Sequence, residues 1–195
     1  MRHALCLLLV TLFVTPGVAQ DRQFISALEQ AQAQRPATLS ASARIAPESE
    51  PGPPLVIHGR AFQPDGRTPL ANTIVFAYHT DQEGLYNQRG TPPHSWRLRG
   101  WAKTDSTGRF EFRTMRPGSY PGIRNPAHIH FTVFTPDGGR FHAGEVQFAD
   151  DPVLPAGEAS SSAALGEFGS VRPVRREGDV QHVDFAIRLD PGQRF

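Results

Sequence analysis

The sequence predicts an all-β protein: a single antiparallel β-sandwich domain with long loops and a short N-terminal arm, helical in part. Three observations carry this. Runs of six to ten β-branched and aromatic residues recur along the chain. Each run is closed by a Pro-, Gly- or Asp-rich turn. Helical periodicity is confined to the first fifty residues.

The elements follow in order. Phe24 to Gln34 has helical spacing, with Phe24, Leu28 and Ala31 on one side, and Pro51-Gly52-Pro53-Pro54 closes that segment. Residues 20–54 read as an arm or linker and residues 55–195 as the sandwich. Leu55–Phe62, Thr73–His79, Arg109–Thr114, His128–Thr135, Phe141–Phe148 and Val180–Leu189 are the predicted strands. Turns at Pro64-Asp65-Gly66-Arg67, Asp105-Ser106-Thr107-Gly108 and Pro136-Asp137-Gly138-Gly139 separate them. Residues 149–179 hold Pro, Gly, Ser and Ala with little periodicity and read as one long surface loop. Trp101 is expected in the core.

The chain opens on an export signal, residues 1–19. Arg2 and His3 precede an apolar run from Ala4 to Val14, and Thr15-Pro16-Gly17-Val18-Ala19 gives a break and a small-residue cleavage site. The run is too short to span a bilayer, so the expected location is exported, periplasmic or extracellular, with no membrane contact after cleavage. Cleavage removes Cys6, the one cysteine, and with it disulfide and thiol chemistry. It also removes Arg2, taking the formal net charge from +1 to 0. A neutral chain has no electrostatic footprint for nucleic acid. Arg172, Arg175 and Arg176 read as a solvated loop.

The chemistry starts at His128-Ile129-His130. In a strand, residues i and i+2 share a face, so both imidazoles project together and suit a metal. The chain has three tyrosines, Tyr78, Tyr86 and Tyr120. Tyr86 and Tyr120 lie in loops, and Tyr120 is eight residues before His128, within reach of a loop that folds back. On residues alone, a sandwich corner with its hydroxyl on backbone is the favoured reading for Tyr120 and an equal one for Tyr86.

Gly84-Leu85-Tyr86, Leu98-Arg99-Gly100-Trp101, Thr104-Asp105 with Gly108-Arg109-Phe110, Tyr120-Pro121, Pro126-Ala127-His128-Ile129-His130-Phe131 and Phe148-Ala149-Asp150-Asp151-Pro152 together resemble the intradiol ring-cleavage dioxygenases, over about residues 55–152. The resemblance implies a non-haem Fe(III) site with Tyr86, Tyr120, His128 and His130 as ligands and water or hydroxide in the fifth position. It implies Tyr120 and His130 axial, and Tyr86 and His128 equatorial. It further implies that a small aromatic diol and O₂ are the substrates, with Tyr120 as base and a muconate-type diacid as product. Phenolate is a hard anionic donor suited to Fe(III), and a metal's charge lets a phenol of pKa about 10 ionise near neutrality.

The sequence departs from the family pattern at two points. The arginine expected directly before the Pro-x-His-x-His motif is replaced by Asn125, with Arg124 one step earlier. Where a glutamine is usual, Glu145 stands, with Gln147 two residues on. Arg124 is therefore expected to be catalytic, and His79, Asn125 and Glu145 to contact substrate. His58, His94, His142 and His182 are expected to be structural or exposed. The short arm predicts a monomer or weak homodimer. Two other readings stay open: a transthyretin-like binding module, from Gly66–Leu70 and the TD-x-x-G-x-F and P-G-x-Y pieces, and a metal-binding relative without activity.

Overall fold

The computed structural model describes residues 16–87 and 95–195. Most of the proposed signal, with Arg2 and Cys6, and His94 lie outside the described residues. The chain divides into two compact units, residues 1–34 and 35–195. In the first, helix α1 runs Pro16–Ala33, eight residues earlier than the apolar spacing marks. Ala27, Leu28 and Ala31 are buried, and Phe24 is half-buried.

The second unit is mostly β. Its strands are β1 Ser42–Arg44, β2 Pro54–Phe62, β3 Ile74–His79, β4 Leu98–Lys103, β5 Arg109–Met115, β6 His128–Phe134, β7 Arg140–Phe148, β8 Val171–Arg172, β9 Arg175–Glu177 and β10 Val180–Arg188. They form two five-stranded sheets, ordered β1-β5-β2-β10-β9 and β4-β3-β6-β7-β8.

The sheets are mixed, which corrects the expectation of purely antiparallel pairing. β10 runs parallel to β2 from Gln181↔Leu55 to Arg188↔Phe62, and β1·β5 and β7·β8 are also parallel. The sequence misleads here because tight turns report only on hairpin neighbours. β2 and β10 are joined through the whole of the other sheet, so no turn fixes their sense. The predicted loop 149–179 is also more ordered than its composition suggests. It holds helix α2 (Glu158–Ala163), a 3₁₀ turn at Gly166–Phe168, β8 and β9. The Ser162 hydroxyl accepts from Val171 N at 2.8 Å, tying α2 to the strand after it.

Alternation along the strands decides which residues build the core and which build the site. Ile57, Phe110, Phe112, Val183, Phe185 and Ile187 from one sheet share a single hydrophobic cluster with Val75, Ala77, Ile129, Phe131, Val133, Val146 and Phe148 from the other. Phe131 is its centre, with ring centroids 4.9 Å from Phe185, 6.3 Å from Phe110 and 6.4 Å from Phe112. Each such ring contributes roughly 1.5–3 kcal/mol by leaving water. The even-numbered residues of β3 and β6 project from the opposite face. There Trp101, half-buried rather than in the core, packs its ring 5.2 Å from Phe76.

One irregularity matters for the site. In the β6·β7 ladder, His130 pairs with Glu145 but Thr132 pairs with His142, so β7 carries one extra residue. This is a β-bulge, and Gly144 with φ 74° takes the left-handed conformation within it. The bulge resets the alternation. Phe141 and Ala143 pack on the core, and beyond the bulge Val146 and Phe148 do so. Glu145 and Gln147 thereby come to lie opposite His130 and His128 on the outward face.

Candidate metal centre

β6 delivers His128 and His130 to one face, as their i, i+2 spacing requires. Their Nε2 atoms lie 2.9 Å apart. Two loops bring the tyrosines: residues 80–87 after β3 and residues 116–127 after β5. The Tyr120 hydroxyl is 3.0 Å from His128 Nε2 and hydrogen-bonds the Tyr86 hydroxyl. Two phenol oxygens and two imidazole nitrogens from three separate segments thus meet at one point.

The loops hold this position by their own backbone bonds. Asp81 Oδ1 accepts from the amides of Glu83 and Leu85, each at 3.0 Å, closing the turn before Tyr86. Asp81 O accepts from Gly118 N at 2.8 Å, and the Thr80 hydroxyl donates to Gly118 O at 2.9 Å. These bonds stitch the Tyr86 loop to the Tyr120 loop. The contact is so close that a Cβ at Gly84 would overlap the Ser119 carbonyl oxygen, and one at Gly118 the Gln82 carbonyl oxygen. Gly84 also has φ 80°, a conformation costly for any residue with a Cβ. Arg97 N donates to Tyr86 O, and the Arg97 guanidinium grips Glu50 with two bonds of 2.6 and 2.7 Å.

A further contact fixes the approach to the histidines. Asp151, nearly buried, accepts from Ala127 N at 2.8 Å and from Val153 N at 2.9 Å. The Pro126 carbonyl, one residue before Ala127, accepts from His128 Nδ1 at 2.7 Å. That bond places the proton on Nδ1 and leaves the Nε2 lone pair for a ligand. Asp151→Ala strands the buried Ala127 amide. The expected result is a loss of about 1–3 kcal/mol in thermal or urea unfolding. The ring aim should loosen too, weakening the affinity of this donor set for a metal ion about tenfold in competition with a chelator.

Glu145 completes the setting. Its Oε2 lies 3.6 Å from His130 Nδ1, and its Oε1 accepts from Gln147 Nε2 at 2.8 Å. His128, His130 and Glu145 each offer a donor atom within 4.8 Å of the others, which resembles a two-histidine, one-carboxylate metal set. The ring geometry argues otherwise. Glu145 faces Nδ1 of His130, whereas Nε2 faces His128. The carboxylate therefore orients the imidazole from behind and does not share its donor direction.

The electrostatics suit a cation. Burial raises the Tyr86 phenol first, with the hydrogen bond to Tyr120 next, and burial also raises Tyr120. Burial, then the charge of His128, lowers His130 to about 3, so its ring is neutral at neutral pH. With both Nδ1 atoms turned to acceptors, the Nε2 lone pairs face one another. A cation relieves that repulsion and converts the phenols to phenolates. The spacing fits as well, since two donors each about 2.1 Å from an ion and at right angles stand about 3 Å apart.

Tyr78 and Trp96 also belong to this region, and motif reading did not select them. Tyr78 stacks on His130 at 4.9 Å and on Trp96 at 4.1 Å. The signal was present in the alternation of β3: Tyr78 pairs with His130, and His79 pairs with Ile129. The same register corrects His79, expected to line the substrate mouth. It faces inward, fully buried, with Nδ1 2.7 Å from Thr80 O and Nε2 2.7 Å from Thr114 Oγ1. Arg124 is exposed and Asn125 half-buried, and no hydrogen bond ties either side chain to the four donors among the described residues.

His79 supplies a pH signature. Burial lowers its pKa from 6.5 to about 4. The folded state binds the proton less well than the unfolded chain. Stability from the neutral ring is therefore complete above pH 6.5 and is lost as pH falls towards 4. Urea midpoints of the iron-free protein should drop across that window, and His79→Gln should flatten part of the slope. An unchanged slope would remove His79 from the account.

The family model described as Dioxygenase matches residues 27–191. The chain belongs to the intradiol ring-cleavage dioxygenase family. It is 33% identical over 129 residues to catechol 1,2-dioxygenase 2 of Acinetobacter lwoffii, covering 57% of this chain and 46% of that protein. It is 30% identical over 161 residues to 6-chlorohydroxyquinol 1,2-dioxygenase of Cupriavidus pinatubonensis, covering 72% and 55%. The chain spans about half the length of the curated relatives it matches. Among solved structures, the dioxygenase domain of a carbohydrate-binding fusion from Streptomyces sp. SirexAA-E has the same fold, with a TM-score of 0.59, 24% identity and coverage of 80% of this chain and 91% of that one. An intradiol ring-cleavage dioxygenase from Tetranychus urticae gives a TM-score of 0.57 at 18% identity, covering 82% and 91%.

Proposed function

We propose that this chain is an intradiol dioxygenase. Its two sheets form a β-sandwich that holds Fe(III) through Tyr86, Tyr120, His128 and His130. It opens a catechol-type diol between the two hydroxyl-bearing carbons, taking up O₂ to give a muconate-type diacid. The observation that carries this is the meeting of Tyr86 Oη, Tyr120 Oη, His128 Nε2 and His130 Nε2 at one point.

When bound there, the ferric ion supplies Lewis acidity towards a chelating diol. The protein's side chains do the rest. The Pro126 carbonyl holds the His128 imidazole in its donor tautomer, and Glu145 stands 3.6 Å behind the His130 ring. Tyr120, joined to both Tyr86 and His128, is placed to take a proton from a substrate hydroxyl at its phenol oxygen. Tyr78 and Trp96 form a stacked wall against His130 that keeps water from that side. We assign charge stabilisation on the ring to Arg124, the guanidinium on the loop between Tyr120 and His128, with Asn125 beside it contacting substrate. Residues 1–19 are proposed as an export signal, and the domain as a monomer or weak homodimer.

Glu145 is proposed to select substrate. Gln147 Oε1 is buried without a hydrogen bond, so Glu145 and Gln147 together line this side with acceptors. Catechols bearing a carboxylate are expected to bind worse than neutral ones. Glu145→Gln should narrow the ratio of their dissociation constants about tenfold in anaerobic titrations, and an unchanged ratio would remove that role.

The test of the whole reading is optical. Protein purified with iron should show a tyrosinate-to-Fe(III) absorption band, and anaerobic catechol should shift it to longer wavelength. Admitting O₂ should then yield one muconate per diol. Colourless protein with stoichiometric iron would sink the reading.

A further inference from the structure

A second pair of histidines lies on the outward face of the other sheet, away from the Tyr/His cluster. His58 of β2 and His182 of β10 stand on adjacent parallel strands. His58 Nε2 is 3.0 Å from His182 Nδ1, and the two rings are within 4° of coplanar. A carboxylate flanks each outer nitrogen. Glu111 Oε2 on β5 is 3.5 Å from His58 Nδ1, and Glu177 Oε2 on β9 is 3.8 Å from His182 Nε2.

A neutral imidazole has one N–H and one lone pair. A glutamate stands beside the outer nitrogen of each ring, at 3.5 Å and 3.8 Å. The inner nitrogens, His58 Nε2 and His182 Nδ1, meet across 3.0 Å. One N–H shared between them satisfies both, and with both N–H groups turned to the glutamates a cation does so. His128 and His130 pose the same problem, with outer nitrogens on a carbonyl and a carboxylate and inner nitrogens 2.9 Å apart.

We propose that His58 and His182 form a second cation site, for a divalent d-block ion such as Zn(II), separate from the dioxygenase centre. Imidazole is a preferred donor for such ions. At 3.0 Å apart, both nitrogens come within about 2.1 Å of one ion once the two rings turn towards it. Glu111 and Glu177 stand where a second shell orients ligating histidines. Glu111 is itself fixed, its Oε1 bonded to Ser42 Oγ at 3.0 Å and to Arg113 Nε at 2.9 Å. Glu177 Oε1 is held by Arg175 at 3.2 Å. The four strands β5, β2, β10 and β9 hold the row in register. It is also reachable: the His58 side chain is 38% exposed and that of His182 16%. His58 and Glu111 border an open hollow of about 650 Å³. Water completes the coordination.

The experiment is a calorimetric titration of the iron-loaded protein with Zn(II), with the visible spectrum recorded throughout. One saturable Zn(II) per chain is expected, with the iron band unchanged. His58→Ala and His182→Gln, both at partly exposed strand positions, should each abolish that binding while keeping the iron band, which also reports their folding. Glu111→Gln should weaken Zn(II) about tenfold, which incidental surface binding would not show. Absence of saturable binding, or binding that survives in both histidine variants, overturns the proposal: the pair would then share only a proton. Because the readout is zinc stoichiometry, the result stands whatever the dioxygenase assay shows.

Discussion

Gly84→Ala is expected to erase both the iron chromophore and catechol cleavage while leaving the two-sheet core folded. The added methyl meets the Ser119 carbonyl oxygen, which is backbone and has no rotamer to yield. Position 84 is also held at φ 80°, where an L side chain costs about 1–2 kcal/mol. The loops bearing Tyr86 and Tyr120 have to separate, and the bond between their hydroxyls breaks. A displacement of about 1 Å at a reacting group costs about 10²-fold in rate, and here the displaced groups are the proposed ligands. Far-ultraviolet dichroism should match the parent, while the visible band and oxygen uptake fall to background. Retained colour with normal turnover would show that the loops absorb the methyl, and would remove the close stitching from the account.

Tyr120→Phe separates holding the metal from moving the proton. Three donors remain, so iron content is expected to persist at reduced affinity, with a weaker tyrosinate band due to Tyr86 alone. Ring cleavage should drop by about 10²–10⁴-fold, the usual value of a positioned acid–base group. Tyr86→Phe makes the contrast. It removes the more strongly perturbed phenol, raised first by burial, and should cost iron binding more than the proton step. Parent-like turnover in Tyr120→Phe would end its assignment as the base.

Much of this was legible before any coordinates. The six predicted strands stand within a residue or two of β2, β3, β5, β6, β7 and β10, because alternation and turn chemistry are local. The shared face of His128 and His130 was also legible, since H-x-H on a strand fixes it, whereas Tyr86 and Tyr120 were singled out by the family resemblance and not by their loops. Strand direction was not, because β2 and β10 pair across most of the chain. β4 escaped notice because Arg99 and Gly100 blur its alternation, although Gly100 is where Ile45 crosses closely. His79 shows a different failure. Its nearness to the Tyr86 loop in sequence suggested the mouth, but one step of strand parity turns it into the core. The roles of Asp151 and of the His58–His182 pair depend on partners 24 and 124 residues away, beyond any local pattern.

The alternation has a practical corollary for re-engineering. On β3 and β6, positions 76, 78, 128, 130 and 132 face the chemistry, and 75, 77, 129, 131 and 133 face the core. A mutant library confined to even numbers on these strands samples reactivity without reopening the interior. On β7 the same parity holds up to Ala143 and the opposite one beyond Gly144, which adds one residue to the count. Deleting that single codon would straighten the strand and keep both roles, with Ala143 inward, Glu145 outward and Val146 inward in regular alternation, whereas losing one residue just beyond it would exchange them downstream. A one-residue deletion at Gly144 is therefore expected to be better tolerated than one at any neighbouring position of β7.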